Sequence, residues 1–331
     1  MGLIGRGIKW VLNHIPRPIL QKVAGWGVPM LGLFYIGRKR KCPICGKQVR
    51  EFLPYGYGVS RKNALCPRCL ALERHRLLWL YLERETNLLR GYPTLLHIAP
   101  EVALSGKFEE HYGKVYGNRY ITADLESPLA KMHFDVQDIP LEDESVDVVI
   151  CNHILEHVKD DRKALRELHR ILSPNGWGVV LVPQEYEREE TFEDDTITSP
   201  EERARIFGQY DHRRIYGRDY AQRVAECGFE VEEIEYEKSL SEEAEYLVDI
   251  WNLNRSKLVN DDTTWSSIHH YCSFLWIELV LWKSYVNGSV NINCLLIESD
   301  DNFLWSVEAH AFTLNTWTSL GDVVQTEHHV L

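Results

Sequence analysis

Two pairs of cysteines carry the clearest chemistry in the chain: Cys42-Pro-Ile-Cys45-Gly46 and Cys66-Pro-Arg-Cys69, with 20 residues between the pairs. Zinc takes four soft ligands in a tetrahedron, and a Cys-x-x-Cys turn brings two sulfurs to one ion. Two such turns close one site. Gly46 lets the chain leave the first turn through positive φ. A redox dithiol needs a single pair beside a βαβ unit, not two matched ones. The spacing predicts a structural Zn2+ on Cys42, Cys45, Cys66 and Cys69 in a small zinc ribbon. Thiols kept for metal imply a reducing, cytoplasmic setting. The other four cysteines, Cys151, Cys227, Cys272 and Cys294, are scattered and read as packed side chains.

A second set of reactive groups lies mid-chain. Asn152-His153-Ile-Leu-Glu156-His157 places two histidines four residues apart, and Gln209-Tyr210-Asp-His212-Arg-Arg-Ile-Tyr216 adds a third. A neutral imidazole near pH 7 can take a proton from a hydroxyl or a carboxylic acid. His153 is the first candidate base, with His157 and His212 behind it. His153 and His157 could also share a metal, but the sequence supplies no regularly spaced third ligand. His75, in Ala71-Leu-Glu-Arg-His75-Arg76, is open to a site role or to simple packing.

These groups need elements to position them. Ala71 to Leu82 reads as a helix joining the ribbon to the next domain. From Thr94, short apolar runs alternate with helical stretches. Thr94–Ala99, Arg119–Asp124, Met132–Val136, Val146–Cys151 and Gly178–Val182 read as strands. Val102–Tyr112 and Lys159–Leu172 read as helices, the second with Leu165, Leu168 and Leu172 on one face. Ser173-Pro-Asn-Gly176 is a turn cluster. Ser199-Pro-Glu-Glu opens a capped helix. Tyr220–Cys227 is a helix stopped by Gly228, and Phe229–Tyr236 is a strand. Apolar strands alternating with helices predict an α/β fold: a doubly wound, mostly parallel sheet, with ligands beyond the carboxyl ends of its strands.

Residues 94–236 resemble a Rossmann-like class I S-adenosylmethionine-dependent methyltransferase. The residues that carry the resemblance are Asp124 at the end of strand two, Phe134-Asp-Val-Gln-Asp138-Ile-Pro-Leu, Ser145-Val-Asp147-Val-Val-Ile-Cys-Asn152-His153-Ile-Leu-Glu156-His157-Val, and Ala164 through Gly176. With the cysteine pairs and Ala71–Arg76, the chain is similar over residues 42–245 to bacterial methyltransferases with an N-terminal zinc ribbon. The resemblance implies S-adenosylmethionine as cofactor and methyl transfer to an acceptor it does not identify. Asp124 would accept the ribose hydroxyls, Asp138 would meet the adenine amino group, and Asn152 and His153 would face the sulfonium methyl. The family's first loop usually carries Gly-x-Gly, whereas this chain has His97-Ile-Ala99-Pro100-Glu101. By this loop's position His97 and Ala99 would contact the cofactor, Ala99 being small enough for close approach, and Glu101 would meet the methionine amino group. In similar enzymes the stretch around Tyr210, His212 and Tyr216 covers the substrate, making those three candidate acceptor contacts. The competing function class is a degenerate zinc-ribbon and Rossmann binding module for an anionic glycan, lipid surface or RNA.

The charge of −12 is a sum over unlike parts. Residues 1–41 carry +8 with no acid, residues 42–258 carry −12, and residues 259–331 carry −8 with one basic residue, Lys283. From Ile36 to Arg76 eleven basic residues face two acids. Residues 1–76 could therefore meet an anionic partner or lie peripherally on a membrane; a plain solvated face is the other reading. No sequence-specific DNA binding is expected. The apolar run Val23–Ile36 is too short to span a bilayer and reads either as packed chain or as an interfacial segment. The domain division expected is a basic arm (1–41), ribbon and linking helix (42–90), Rossmann-like domain (91–245) and a Trp-rich acidic segment (246–331). That last segment, with hairpin signals at Asn287-Gly288, is open to three readings. It is an appended β domain, a divergent end supplying the family's final antiparallel strand, or unrelated sequence.

Overall fold

In a computed structural model of the chain, residues 32–55, 61–234, 236–240 and 277–282 are described. The chain divides into two compact units, Met1–Ser284 and Tyr285–Leu331, and every described residue lies in the first. Residues 1–31 of the expected arm (1–41), the Asn287-Gly288 hairpin and the scattered Cys272 and Cys294 fall outside the described residues.

The N-terminal part consists of two small hairpins. β1 (Ile36–Lys41) pairs with β2 (Gln48–Val49), and β3 (Leu53–Tyr55) with β4 (Arg61–Leu65), both antiparallel. Each is too short to be stable alone. α1 (Glu73–Arg84) closes them against the rest of the molecule. Its Arg76 is fully buried, donates to the carbonyls of Ala64 and Ala71 at 2.9 and 2.8 Å, and stacks on Phe52. Arg61 makes a two-pronged pair with Glu73. These two basic residues are therefore structural, while Arg38, Lys39, Lys41, Lys47 and Lys62 remain exposed.

The central sheet comes next in chain order: β5 (Leu95–Ile98), α2 (Val102–Tyr112), β6 (Tyr120–Asp124), β7 (Met132–His133), β8 (Val146–Asn152), α3 (Asp161–Ile171) and β9 (Leu172–Leu181). The next stretch holds β10 (Phe192–Glu193), α4 (Pro200–Ile206) and β11 (Arg214–Ile215), and then come α5 (Tyr220–Ala225), β12 (Glu230–Ile234), α6 (Tyr236–Ser239) and β13 (Ile277–Trp282). Strand order is β12-β13-β9-β8-β5-β6-β7. β9, β8, β5, β6 and β7 are parallel, and β13 runs antiparallel to both β9 and β12. The expected doubly wound sheet is present. The acidic C-terminal segment contributes one strand of it at residues 277–282, which matches the reading in which that segment supplies the antiparallel strand.

Strand residues alternate between two cores, which is why their sequences are apolar throughout. Leu95, Val148, Ile150, Val179 and Leu181 pack with α1 and α2 on one face. Leu96, Val149, Cys151, Val180 and Val182 pack with α3 and α5 on the other. The first core also contains Cys42, Ile44 and Phe52, so the hairpins and the sheet share one apolar interior.

Three local expectations are corrected. The third strand covers only Met132–His133, because Asp135 turns the chain by accepting from Gln137 N. Ser173–Gly176 lies within β9 as an irregularity: Val146 pairs with Leu172 but Val148 with Trp177, so the turn residues loop out of register. Tyr236 begins α6 and does not extend β12. Among the described residues, no helix is long and apolar enough to cross a membrane.

Candidate active site

From β5 the chain runs outward to β6 and β7, then returns to the other side of β5 as β8. That reversal opens a crevice at the carboxyl ends of β5 and β8. Two residues with positive φ mark it: Ala99 at +49° after β5 and His153 at +54° after β8. Left-handed backbone costs an L-residue roughly 1–2 kcal/mol, and such positions cluster where geometry is held for function. Ala99 N donates to Ala123 O at 2.8 Å, which fixes this turn to the neighbouring strand. Glycine at 99 should relieve the strain. After its own entropy cost, Ala99→Gly is expected to raise stability by about 0.5–1 kcal/mol in urea denaturation, and a loss would show that the alanine methyl is packed to advantage.

Glu101, at the N-cap of α2, is the hub of the crevice. Its Oε2 lies 2.6 Å from His97 Nε2 and its Oε1 accepts from Asn152 Nδ2 at 3.0 Å. His75 Nε2 is 3.9 Å from Oε1. Burial opposes the charge on Glu101, but His97, His75 and Asn152 together hold its carboxyl well below the usual range. His75 accepts from Leu72 N through Nδ1 at 3.3 Å, so its proton sits on Nε2. Burial, reinforced by Arg74, pushes His75 down to about 3. His75 Nε2 and Asn152 Oδ1 are both buried without a hydrogen-bond partner.

Asp124 ends β6 beside this crevice and is half-buried. Its Oδ1 accepts from Glu126 N at 2.8 Å and Ser127 N at 2.7 Å, which orients the carboxylate. Asp138 is exposed on the loop after β7, its backbone turned by a bond from its N to Asp135 O.

A second cluster continues from β8. His153 Nδ1 faces Glu156 Oε1 at 3.4 Å, His157 Nε2 is 3.9 Å from the same oxygen, and the His157 and His212 rings lie 4.8 Å apart, edge to face. Burial, with Arg74 adding to it, lowers the pKa of His153. Burial likewise lowers that of His212. Both rings are thereby kept neutral. Burial opposes the charge on Glu156, but its neighbours, the hydrogen bond with His153 first, bring its carboxyl below the ordinary value. Tyr210 is exposed nearby in sequence, two residues before His212.

Two expected contacts are corrected. His97 is fully buried between Tyr120 and Glu101, so it positions Glu101 and has no surface to offer a cofactor. Tyr216 is also fully buried; its hydroxyl donates to Asp161 Oδ2 at 2.8 Å, so it braces α3 and cannot touch an acceptor. Sequence alone does not single out Arg74 or Glu156, and it leaves His75 between two roles. Arg74 and His75 reach the crevice from α1, a helix distant in sequence. Glu156 stands in the motif, but its burial is invisible there.

The cysteines converge as expected. Cys42 and Cys69 sulfurs are 3.6 Å apart, Cys45 and Cys66 3.9 Å, and all four lie within 4.8 Å. A tetrahedron with metal–sulfur bonds near 2.3 Å has edges of about 3.8 Å, so the set is spaced for one ion. The two turns match: Gly46 N donates to Cys42 O and Leu70 N to Cys66 O, with φ of +67° at Gly46 and +63° at Leu70.

Residues 105–180 match the family described as a methyltransferase domain. Demethylmenaquinone methyltransferase of Staphylococcus epidermidis is 40% identical over 60 residues, 18% of this chain and 24% of that protein. The chain thus aligns to about a quarter of the length of the curated relatives it matches. Among solved structures, an S-adenosylmethionine dependent methyltransferase from Mesorhizobium loti is 14% identical, covering 62% of this chain and 96% of that one at a TM-score of 0.37. The YcgJ protein from Bacillus subtilis is 17% identical, covering 63% and 96% at 0.36. Both scores fall below 0.5, and the fold rests on the strand order itself.

Proposed function

We propose that this chain transfers a methyl group from S-adenosylmethionine to an acceptor, with the crevice between β5 and β8 as its cofactor site. The observation that carries the reading is that the matched segment, 105–180, contains the switch-point carboxylate Asp124 and begins four residues after Glu101, the carboxylate on the facing side of the crevice. The residues present fit the cofactor. The Asp124 carboxylate, anchored through Oδ1, would take ribose hydroxyls. The Glu101 carboxylate would take the methionine ammonium, and exposed Asp138 the adenine amino group. Buried Asn152 Oδ1 and His75 Nε2 offer an unpaired acceptor and an unpaired donor, a cost that a bound polar ligand removes. The cofactor supplies a methyl on a sulfonium, already activated for displacement.

The chain's own residues align and deprotonate the acceptor. Neutral His153, oriented by Glu156, is the base; His212 and Tyr210 stand on the acceptor side. Cys42, Cys45, Cys66 and Cys69 hold a structural Zn2+. The exposed Lys39, Lys41, Lys47 and Lys62 are the side chains we assign to an anionic partner.

Calorimetric titration with S-adenosylmethionine tests the reading. Wild type should bind, and Asp124→Ala should bind roughly 10–100-fold more weakly, since charged hydrogen bonds contribute about 1.5–3 kcal/mol. A wild type that does not bind, or an alanine variant that binds equally, would sink it.

A further inference from the structure

Glu156 and His212, placed above beside the base and the acceptor, converge with His157 in one group whose closeness those two roles do not explain. One ligand atom from each lies within 4.8 Å of the others. Glu156 is 1% exposed and His212 8%. Glu156 Oε2 is buried with no hydrogen-bond partner. Among the described residues, the ion contacts of this carboxylate are with His153 and His157, and neither is a Lys or Arg. A buried carboxylate with no ammonium or guanidinium contact and one oxygen unpaired lacks the partners that usually satisfy it. His157 Nδ1 is turned toward Asp211 Oδ2 at 3.6 Å, the outer carboxylate that commonly orients a ligating ring.

The two loops that supply these residues are joined independently of any ion. Arg213 N donates to Glu156 O at 2.8 Å and Arg213 Nε to His157 O at 3.1 Å. Arg214 adds bonds to the carbonyls of Leu155, Val158 and Lys159. The donors are thus gathered by arginine bonds to backbone carbonyls before a ligand arrives.

We propose that Glu156, His157 and His212 bind a divalent transition-metal ion and that an oxygen of the methyl acceptor completes its coordination. Two imidazoles and one carboxylate leave a position open, as in catalytic and not structural metal sites. Bond lengths near 2.1 Å need donor separations of roughly 3–3.5 Å, so the side chains close by about an ångström. An oxygen on the ion loses its proton more readily and is placed beside His153. The acceptor half of this inference rests on the methyl-transfer reading; the metal half does not.

Mn2+ is the probe, because nitrogen and oxygen donors accept it while the four-cysteine site prefers softer ions. Titration of the full zinc-loaded chain, followed by the electron paramagnetic resonance of free Mn2+, should show one saturable site. Glu156→Gln and His212→Ala should each weaken it at least 10-fold while retaining wild-type melting temperature and S-adenosylmethionine affinity. Should either variant fail to fold, the wild type still decides. Mn2+ should broaden the ring resonances of His157 and His212 and leave His111, which bonds Gly91 O, sharp. Bound Mn2+ should also enhance solvent-proton relaxation through its open position. No saturable binding, unchanged affinity in folded variants, or uniform broadening overturns the metal site. Binding without relaxation enhancement overturns the acceptor's place on the ion. Cofactor binding by wild type is measured separately, so neither failure is confused with failure of methyl transfer.

Discussion

With zinc on the four-cysteine cluster as proposed, Cys66→Ser should release it and unfold the N-terminal hairpins. The reason lies in how little else holds them. β2 has two residues and β3 three. Their sulfur-bearing turns keep shape through paired backbone bonds, Cys42 N to Lys47 O and Cys66 N to Ala71 O, each of which presupposes its neighbour. A structural zinc contributes an apparent 10–16 kcal/mol to folding at neutral pH, far more than these hairpins gain from burial. The loss should spread, since Cys42, Ile44 and Phe52 belong to the core that also holds α1 and α2. α1 carries Arg74 and His75, so one wall of the crevice goes with it. Metal analysis should find about one zinc fewer per chain, with rapid proteolysis around residues 61–72 and weakened S-adenosylmethionine binding. A variant that keeps its zinc and its protease resistance would show that three sulfurs suffice.

Asp161→Asn should cost about 3–5 kcal/mol, the usual penalty for removing one partner of a buried ion pair. Asp161 begins α3 and is 1% exposed. Arg223 binds both its oxygens at 2.7 Å, and Tyr216 donates at 2.8 Å. Arg214 approaches to 3.9 Å and is shared with Glu193. An amide there leaves two guanidinium groups short of an anion. Burial alone would raise the Asp161 carboxyl, but the bonds from Arg223 and the charge of Arg214 prevail and hold it below the ordinary carboxylate range. A depressed folded pKa contributes stability above the unfolded value near 3.9 that is lost as pH falls through the folded value. Urea denaturation at pH 7 should therefore show the full difference between wild type and variant, and the gap should narrow below about pH 4. Equal stabilities at pH 7 would mean that Glu193 alone satisfies both arginines.

Local features of this chain are legible in its sequence, while depth and distance are not. Nearly continuous apolar runs such as Val146–Cys151 declare the parallel sheet, since a strand buried on both faces has no polar side. Cysteine spacing declares the four-sulfur cluster because two tight turns leave little freedom. Capping is equally local: Ser199 Oγ does accept from Glu202 N. Tyr216, by contrast, reads as a substrate contact in a polar stretch, yet its hydroxyl serves a carboxylate 55 residues away. His97 lies in β5 just before the loop at Ala99, buried between Tyr120 and Glu101. His75 stands outside the Rossmann-like segment, and only the packing of α1 brings it to Glu101. Glu156, His157 and His212 are joined by a crossing of two loops that no spacing encodes.

The position of β13 sets an order of assembly. β12 ends at Ile234, but its neighbour in the sheet begins at Ile277. During synthesis the five parallel strands and β12 all emerge before the strand that must lie between β9 and β12. Until residue 282 is free of the ribosome, β9 presents an open edge of unpaired amides, the kind of surface on which chains stick to one another. Among the described strands, the last to be made is set second from the sheet's edge, between β12 and β9, a non-local closure that slows folding.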